Sequence, residues 1–238
     1  MSTLFLVRHG QASFFAENYD ALSDLGQRQS ELLGTFWAAR GMAFDEVFSG
    51  PRERQLDTAR IVGESYARAG RPWPQTEVLP GLDEYQAEAV LKQALPELVE
   101  RHPRIRKLQA DVAAAGDRAE TLRRFQRLYE VVIDLWSTGQ LDLDQVEPWP
   151  EFCRRVEQAL NRIVAGGPQR RVVAFTSGGP IGVAVARALS TPHDRTLRVA
   201  WMVRNASFSE FLFSGPRFTL STFNSLPHLD EPELLTYR

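Results

Sequence analysis

Near its start the chain carries a short apolar run that ends in two basic side chains and a glycine, Leu4-Phe5-Leu6-Val7-Arg8-His9-Gly10. Such an uninterrupted apolar run predicts a strand buried on both faces, as in parallel sheets. The glycine predicts a sharp turn at which a ligand can approach the main chain. Because open α/β sheets bind ligands at the carboxyl ends of their strands, we expect Arg8 and His9 to reach a binding site.

The rest of the chain predicts an α/β fold, a three-layer α/β/α sandwich with a mostly parallel central sheet. Helical periodicity alternates with short apolar runs, and glycine and proline separate them. Asn18 is predicted to form a turn with Tyr19 and Asp20. The predicted elements are a helix from Ser23 or Asp24 to Gly41, a strand over 44–48, a helix over 51–70, a strand over 172–176, a helix opening at Ser177-Gly178 and a hairpin over 207–223.

A helical insertion is predicted within this fold. The 238 residues, 43% of them hydrophobic, fit a single domain over 1–238. Residues 86–166 carry two apolar stripes with helical spacing, which predicts an all-helical insertion that serves as a cap. Its aromatic residues are interpreted as the insertion's own core.

Composition argues against several classes of protein. Lys and Arg total 28 against 30 Asp and Glu, so no global basic field favours nucleic acid or an anionic membrane. The single cysteine, Cys153, excludes an internal disulfide and a cysteine-rich metal site. The first residues lack a basic stretch and a long apolar core, and therefore predict no signal peptide. We expect a cytoplasmic protein.

Several motifs together indicate a family. Leu-Val-Arg-His-Gly stands at 6–10, Arg54 precedes Thr58-Ala59 by four residues, Leu82-Asp83-Glu84 follows a Pro-Gly pair, and Asn205-Ala206-Ser207 lies near the end. With these motifs the chain resembles the histidine phosphatase superfamily, the phosphoglycerate-mutase-like proteins. The resemblance spans nearly the whole chain outside the insertion.

The resemblance implies a reaction and roles for particular residues. His9 would attack phosphorus and form a phosphohistidine, with no metal or other cofactor. Arg8 and Arg54 would hold the phosphoryl group, since guanidinium groups match phosphate geometry in two hydrogen bonds. Glu84 would protonate the leaving group, although the adjacent Asp83 stays an alternative. The implied function is metal-independent hydrolysis of a small phosphate monoester.

Further residues are candidates for substrate binding. Gln11, directly after the glycine, is predicted to line the pocket. Arg52 is interpreted as a solvated residue at a helix start, with an extra phosphate contact as the alternative. Ser177 and Gly178 are predicted to contact the phosphate from the second strand end.

Ser177 marks a departure from the family pattern. The family normally has a second histidine at this place, and serine donates a hydrogen bond without positive charge. The other histidines, His102, His193 and His228, are interpreted as solvated loop residues. Charged hydrogen bonds contribute about 1.5–3 kcal/mol and neutral ones about 0.5–1.5 kcal/mol, so weaker turnover is expected. Two alternatives therefore stay open: phosphoglycerate-mutase-type phosphoryl transfer, and a phosphate-ester-binding protein with little turnover. The sequence names neither the substrate nor the oligomeric state.

Overall fold

The structure, a computed structural model, describes residues 1–13 and 20–237. The turn predicted at Asn18 falls on residues outside these ranges. The strands are β1 (Ser2–Arg8), β2 (Glu46–Ser49), β3 (Thr76–Val78), β4 (Arg171–Thr176), β5 (Phe208–Ser214) and β6 (Arg217–Ser225). The helices are α1 (Asp24–Ala39), α2 (Glu53–Arg68), α3 (Ala87–Arg101), α4 (Pro103–Ala113), α5 (Arg118–Ser137), α6 (Trp149–Val164), α7 (Gly178–Leu189) and α8 (Thr196–Ala200).

The six strands form one sheet in the order β3-β2-β4-β1-β5-β6. β3, β2, β4 and β1 are parallel, whereas β5 pairs antiparallel with β1 and β6 antiparallel with β5. The predicted α/β fold with a mixed, mostly parallel sheet and flanking helices is confirmed. The 207–223 hairpin is confirmed as β5 and β6.

The chain divides into two compact units, and the sheet belongs to the larger, which comprises 1–84 and 155–238. Its core is aromatic on the face shared with α1 and α2, where Phe5 contacts Trp37 and Phe44 in edge-to-face geometry. The alternate residues of β1, Leu4 and Leu6, are also fully buried, so both faces of the strand are covered.

The smaller unit comprises residues 85–154 and contains α3, α4, α5 and the beginning of α6. Tyr85, Trp136, Trp149 and Phe152 form an aromatic cluster at its centre, with Trp149 stacked on Phe152 at 5.1 Å between ring centres. This unit therefore has an aromatic core of its own. The sequence predicted a longer helical insertion, over 86–166. The role of the insertion as a cap stays a prediction. In the described ranges, every helix is too short or too polar to span a lipid bilayer.

The parallel strands bring three distant segments to one edge of the sheet. β1 and β4 are neighbours in register, with Arg8 opposite Thr176. On the other side of β4, Ser49 of β2 pairs with Phe175. The residues that follow these strands therefore meet at the carboxyl edge, where parallel sheets bind ligands.

Candidate active site

His9 lies just beyond β1, beside the end of β4. Its backbone N–H donates to the Thr176 carbonyl at 2.9 Å and extends the strand pairing by one residue. The histidine is only 5% exposed. Nδ1 lies 2.7 Å from the Gly10 carbonyl oxygen, and Nε2 lies 3.1 Å from Nε of Arg54.

These two neighbours determine the tautomer of His9. A carbonyl oxygen can only accept, so Nδ1 carries the hydrogen and donates it to Gly10. A guanidinium can only donate, so Nε2 presents its lone pair to Arg54. Burial lowers the pKa of His9 well below its usual value, and the charges of Arg54, Arg8 and Arg52 lower it further. The ring is therefore neutral at pH 7, with its lone pair on Nε2.

Arg54 reaches His9 from the first turn of α2. Its buried guanidinium also forms an ion pair with Asp20, with 2.5 Å between Nη1 and Oδ1. Thr58, one turn later, donates to the Arg54 carbonyl at 2.7 Å and accepts from the Gly10 N–H at 3.1 Å. These contacts join the start of α2 to the loop that follows His9.

Arg8 is the last residue of β1 and is half buried. Its backbone N–H donates to the Ser207 carbonyl at 3.0 Å, and Nη1 donates to the Val203 carbonyl. Although the whole chain has a net charge of −2, the surroundings of His9 are therefore rich in arginine. Such a local concentration of positive charge favours an anionic ligand.

Two glycines of the site are required by close approaches of the backbone. A Cβ added to Gly10 would lie 2.3 Å from the Gly26 carbonyl oxygen at the start of α1. A Cβ added to Gly178 would lie 2.9 Å from the Ala200 carbonyl oxygen. Both turns that follow the site strands thus pack against other backbone segments.

Ser177 joins β4 to α7 and is 1% exposed. Its hydroxyl makes no capping hydrogen bond to the helix. Instead, Oγ accepts a hydrogen bond from Nε2 of Gln55, the neighbour of Arg54 on α2, at 2.8 Å. The structure brings Ser177 to the strand end beside His9, and its replacement of a second histidine stays a prediction.

The adjacent carboxylates Asp83 and Glu84 have different partners. Oε2 of Glu84 accepts from the backbone N–H of Gly179 at 3.1 Å, in the first turn of α7. Asp83 Oδ1 accepts from Nε of Arg52 at 2.6 Å and from the Glu84 N–H at 2.7 Å. Arg52 is therefore a half-buried, ion-paired residue, in contrast to the solvated residue that the sequence favoured.

Gln11 is held at the start of α1. Its Oε1 accepts from the Ser23 hydroxyl at 3.0 Å, and its backbone N–H donates to Oε1 of Gln29 at 2.9 Å. Ser23 is the N-cap of α1, as one of the two sequence alternatives predicted. A contact between Gln11 and phosphate stays a prediction.

A chain of side-chain hydrogen bonds joins the carboxyl-terminal segment to the backbone of His9. Nε2 of Gln29 donates to the Leu234 carbonyl at 2.7 Å and to Thr236 Oγ1 at 3.0 Å. Thr236 Oγ1 donates to Oδ1 of Asn205 at 3.0 Å. Nδ2 of Asn205 donates to the His9 carbonyl at 3.3 Å. The end of the chain thus supports the loop that carries His9.

The sequence matches a known family along most of its length. Residues 4–138 and 118–226 match the family described as "Histidine phosphatase superfamily (branch 1)". The chain belongs to this superfamily. Histidine phosphatases act on phosphorylated small molecules, which agrees with the arginine-rich surroundings of His9.

Several solved structures share the fold at low sequence identity. An alpha-ribazole phosphatase from Shigella flexneri is 19% identical, with a TM-score of 0.61 over 94% of this chain and 96% of that one. A phosphoserine phosphatase from Entamoeba histolytica is 17% identical, with a TM-score of 0.62 over 96% and 100%. A phosphoglycerate mutase from Bacillus anthracis is 18% identical, with a TM-score of 0.60 over 95% and 94%.

Sequence reasoning missed two residues of this candidate site. Asp20, the ion-pair partner of Arg54, lies in no sequence motif that predicts this contact. Gln55 is polar, and polarity alone predicts an exposed side chain. It nevertheless belongs to the buried face of α2, together with Val62 and Tyr66. That spacing of seven and eleven residues was a usable signal.

His228 corrects another interpretation. The sequence suggested a solvated loop histidine, but His228 is buried against the rings of Phe36 and Phe208. Burial lowers its pKa to about 4, although the Ala206 backbone acts in the opposite direction. His228 is thus neutral in the folded protein at pH 7.

The depressed pKa predicts a loss of stability in acid. As the pH falls below 6.5, the unfolded chain takes up a proton that the folded chain accepts only near pH 4, so stability declines between these values. The full effect is about 3 kcal/mol, at about 1.4 kcal/mol per pKa unit. His228→Leu should flatten this part of the curve in urea unfolding measured at several pH values. His102→Leu, at an exposed position, should keep the wild-type dependence of the free energy of unfolding on pH. The same dependence in His228→Leu as in the wild type would contradict the role of His228 in this loss of stability.

Proposed function

We propose that this histidine phosphatase is a metal-independent phosphatase that hydrolyses a small phosphate monoester through a phosphohistidine on His9. The observation that carries the proposal is the geometry of the imidazole. Gly10 fixes the Nδ1 hydrogen, and the Nε2 lone pair faces the arginine-rich side of the site. A neutral, oriented imidazole beside guanidinium groups has the properties that nucleophilic attack on a phosphoryl group requires.

In the first step, Nε2 of His9 bonds to phosphorus as the ester P–O bond breaks. Arg8 and Arg54 neutralise the charge on the equatorial oxygens of the transferring group. The departing alkoxide takes a proton from the Glu84 carboxyl group, which gives a free alcohol. In the second step, a water molecule attacks phosphorus and gives its proton to Glu84. The P–N bond then breaks and the lone pair returns to Nε2, with inorganic phosphate as the product.

The surroundings of the two carboxylates favour Glu84 over Asp83 as the proton donor. Asp83 is paired with the Arg52 guanidinium at 2.6 Å, so its Oδ1 is already engaged. Glu84 instead lies on the amino terminus of α7, directly after the turn that contains Ser177. Its carboxyl group is therefore next to the strand end at which the phosphoryl group would lie.

Metal independence is part of the proposal. Within the described ranges of the chain, no group of three or more His, Cys, Asp or Glu side chains is arranged to hold a metal ion. The positive charge that phosphoryl transfer needs is available from the arginines. Hydrolysis should therefore be unaffected by excess chelator.

The test is a panel of phosphate monoesters with chelator present, combined with trapping of ³²P on His9 by an alkaline quench, because the P–N bond of phosphohistidine hydrolyses in acid. We expect hydrolysis of at least one ester and label on His9. Label that passes to a second acceptor alcohol instead of water would favour the mutase alternative. Binding of phosphate without any label would favour a binding protein and contradict the proposal.

The assignment of Glu84 predicts a dependence on the leaving group. Glu84→Gln should slow hydrolysis of an alkyl phosphate by about 10²–10⁴-fold, because the alkoxide then leaves without a proton. An activated aryl phosphate, whose phenolate needs little protonation, should be affected much less. Asp83→Asn is the matched control, and kcat should be measured with both esters. Equal losses on both esters in Glu84→Gln would contradict Glu84 as the proton donor, and a larger loss in Asp83→Asn would move the role to Asp83.

A further inference from the structure

Gln55 is a fully buried glutamine whose amide touches three different segments of the site. Oε1 accepts from the backbone N–H of Arg52 at 3.1 Å, at the start of α2. Nε2 donates to the Leu82 carbonyl at 3.3 Å, next to the two acidic residues, and to Oγ of Ser177 at 2.8 Å. One side chain therefore connects the arginine-bearing helix, the acidic segment and the turn before α7.

The partners fix the orientation of the Gln55 amide. The Arg52 N–H can only donate and the Leu82 carbonyl can only accept, so the oxygen and nitrogen of the amide cannot be exchanged. The nitrogen therefore faces Ser177, and both of its hydrogens are used. Leu82 is held from the other side as well, because the Thr176 hydroxyl donates to the same carbonyl at 2.7 Å.

This orientation decides what the Ser177 hydroxyl can do. Since Gln55 donates, Oγ of Ser177 is the acceptor, and its own hydrogen remains available. Across residues 1–13 and 20–237, that hydrogen meets no acceptor. A buried hydroxyl with an unused donor beside the nucleophile is suited to an anionic oxygen.

We propose that Gln55 is a positioning residue that turns the hydroxyl hydrogen of Ser177 toward the transferring phosphoryl group. The proposal rests on the proposed function, because it adds the orienting partner to the same pocket. The α2 helix thus supplies consecutive residues for two neighbouring strand ends. Arg54 contacts His9 at the end of β1, and Gln55 contacts Ser177 at the end of β4.

The test is the effect of Ser177→Ala in three backgrounds: wild type, Gln55→Ala and Gln55→Glu. Binding of orthovanadate, which resembles the transferring phosphoryl group, should be measured by calorimetry. In the wild-type background, loss of the hydroxyl should weaken binding about 10- to 100-fold, at or below the range for a strong transition-state donor. In either Gln55 background the same change should weaken binding by less than about twofold, because the hydroxyl is no longer directed.

Gln55→Glu guards against a folding defect in Gln55→Ala. The introduced carboxylate keeps the size of the side chain and an acceptor for the Arg52 N–H, but it accepts from Ser177 and so turns the hydroxyl hydrogen away from the pocket. Any general effect of its charge cancels, because only the ratio caused by Ser177→Ala is compared within each background. Ser65→Ala is a control that removes a different buried serine hydroxyl, on α2, and should leave vanadate binding unchanged.

The outcomes separate this proposal from the proposed function. An equal effect of Ser177→Ala in all three backgrounds, or no effect in the wild type, would overturn the role of Gln55. Coupling between the two positions without any label on His9 would support the positioning role and overturn the phosphatase mechanism. Label on His9, with the Ser177 and Gln55 substitutions weakening vanadate binding additively, would support the phosphatase mechanism and overturn the positioning role. Failure to bind vanadate at all would overturn the pocket and this proposal together.

Discussion

His9→Ala should reduce hydrolysis by about 10⁴-fold or more and abolish ³²P labelling of the protein. The nucleophile and the residues that orient it act as a unit, and removal of a nucleophile alone costs most of the chemical rate. The effect should fall on kcat, because the arginines proposed to bind phosphate are unchanged. Rates with the best ester of the panel, measured alongside alkali-quenched labelling, check this expectation.

His102→Ala provides the matched control for His9→Ala. His102 is exposed between α3 and α4, in the smaller unit of the chain. Its loss should leave both the rate and the label unchanged. Retention of label in His9→Ala, or loss of label in His102→Ala, would refute the assignment of the nucleophile.

Arg54→Lys should lower kcat/KM by about 10²–10³-fold, the cost of removing a strong donor to the developing charge. An ammonium group keeps the charge but lacks the planar fork that binds two phosphate oxygens at once. It also cannot reproduce the arrangement in which one guanidinium contacts both His9 and Asp20. Arg60→Lys, on the exposed side of the same helix, should leave kcat/KM unchanged.

Arg54→Met adds a test of the electrostatics. Burial is the main cause of the low pKa of His9, and Arg54 is the largest of the charges that lower it. Removal of the charge should raise the pKa of His9, so the acidic limb of kcat/KM should move to higher pH. Arg54→Lys should move it less. Both variants should be compared with the wild type on the same ester, so that ionisation of the ester affects all profiles equally. An acidic limb of kcat/KM that stays in place or moves to lower pH in Arg54→Met would contradict the effect of Arg54 on the pKa of His9.

The sequence predicted the parts of the fold that local patterns encode. The run that ends in Arg8 and His9 is a buried strand, and residues 172–176 pair with it in parallel. Short uninterrupted apolar runs bounded by glycine are typical of buried strands in parallel sheets. Helix positions followed from periodicity and capping, with Ser23 at the start of α1. Since both strand ends lie at one edge, the placement of His9 and Ser177 at neighbouring strand ends could also be expected.

Contacts between distant segments could not be predicted in this way. The Asp20 side chain reaches Arg54 across 34 positions, and Gln55 reaches Ser177 across 122. No periodicity connects such pairs, because they depend on how helix and sheet pack. His228 shows the same limit: its loop-like sequence suggested solvent, whereas packing buries it between two aromatic rings.

The support of the His9 loop by the carboxyl-terminal segment has a practical consequence for laboratory work. Both the carbonyl and the hydroxyl of Thr236 bind Asn205, which in turn binds the His9 backbone. An affinity tag or fusion partner attached directly after residue 238 begins close to Thr236 in the sequence and can disturb these hydrogen bonds. Tag position is therefore an experimental variable for this protein, and rates from differently tagged preparations should be compared only after the tag has been cleaved.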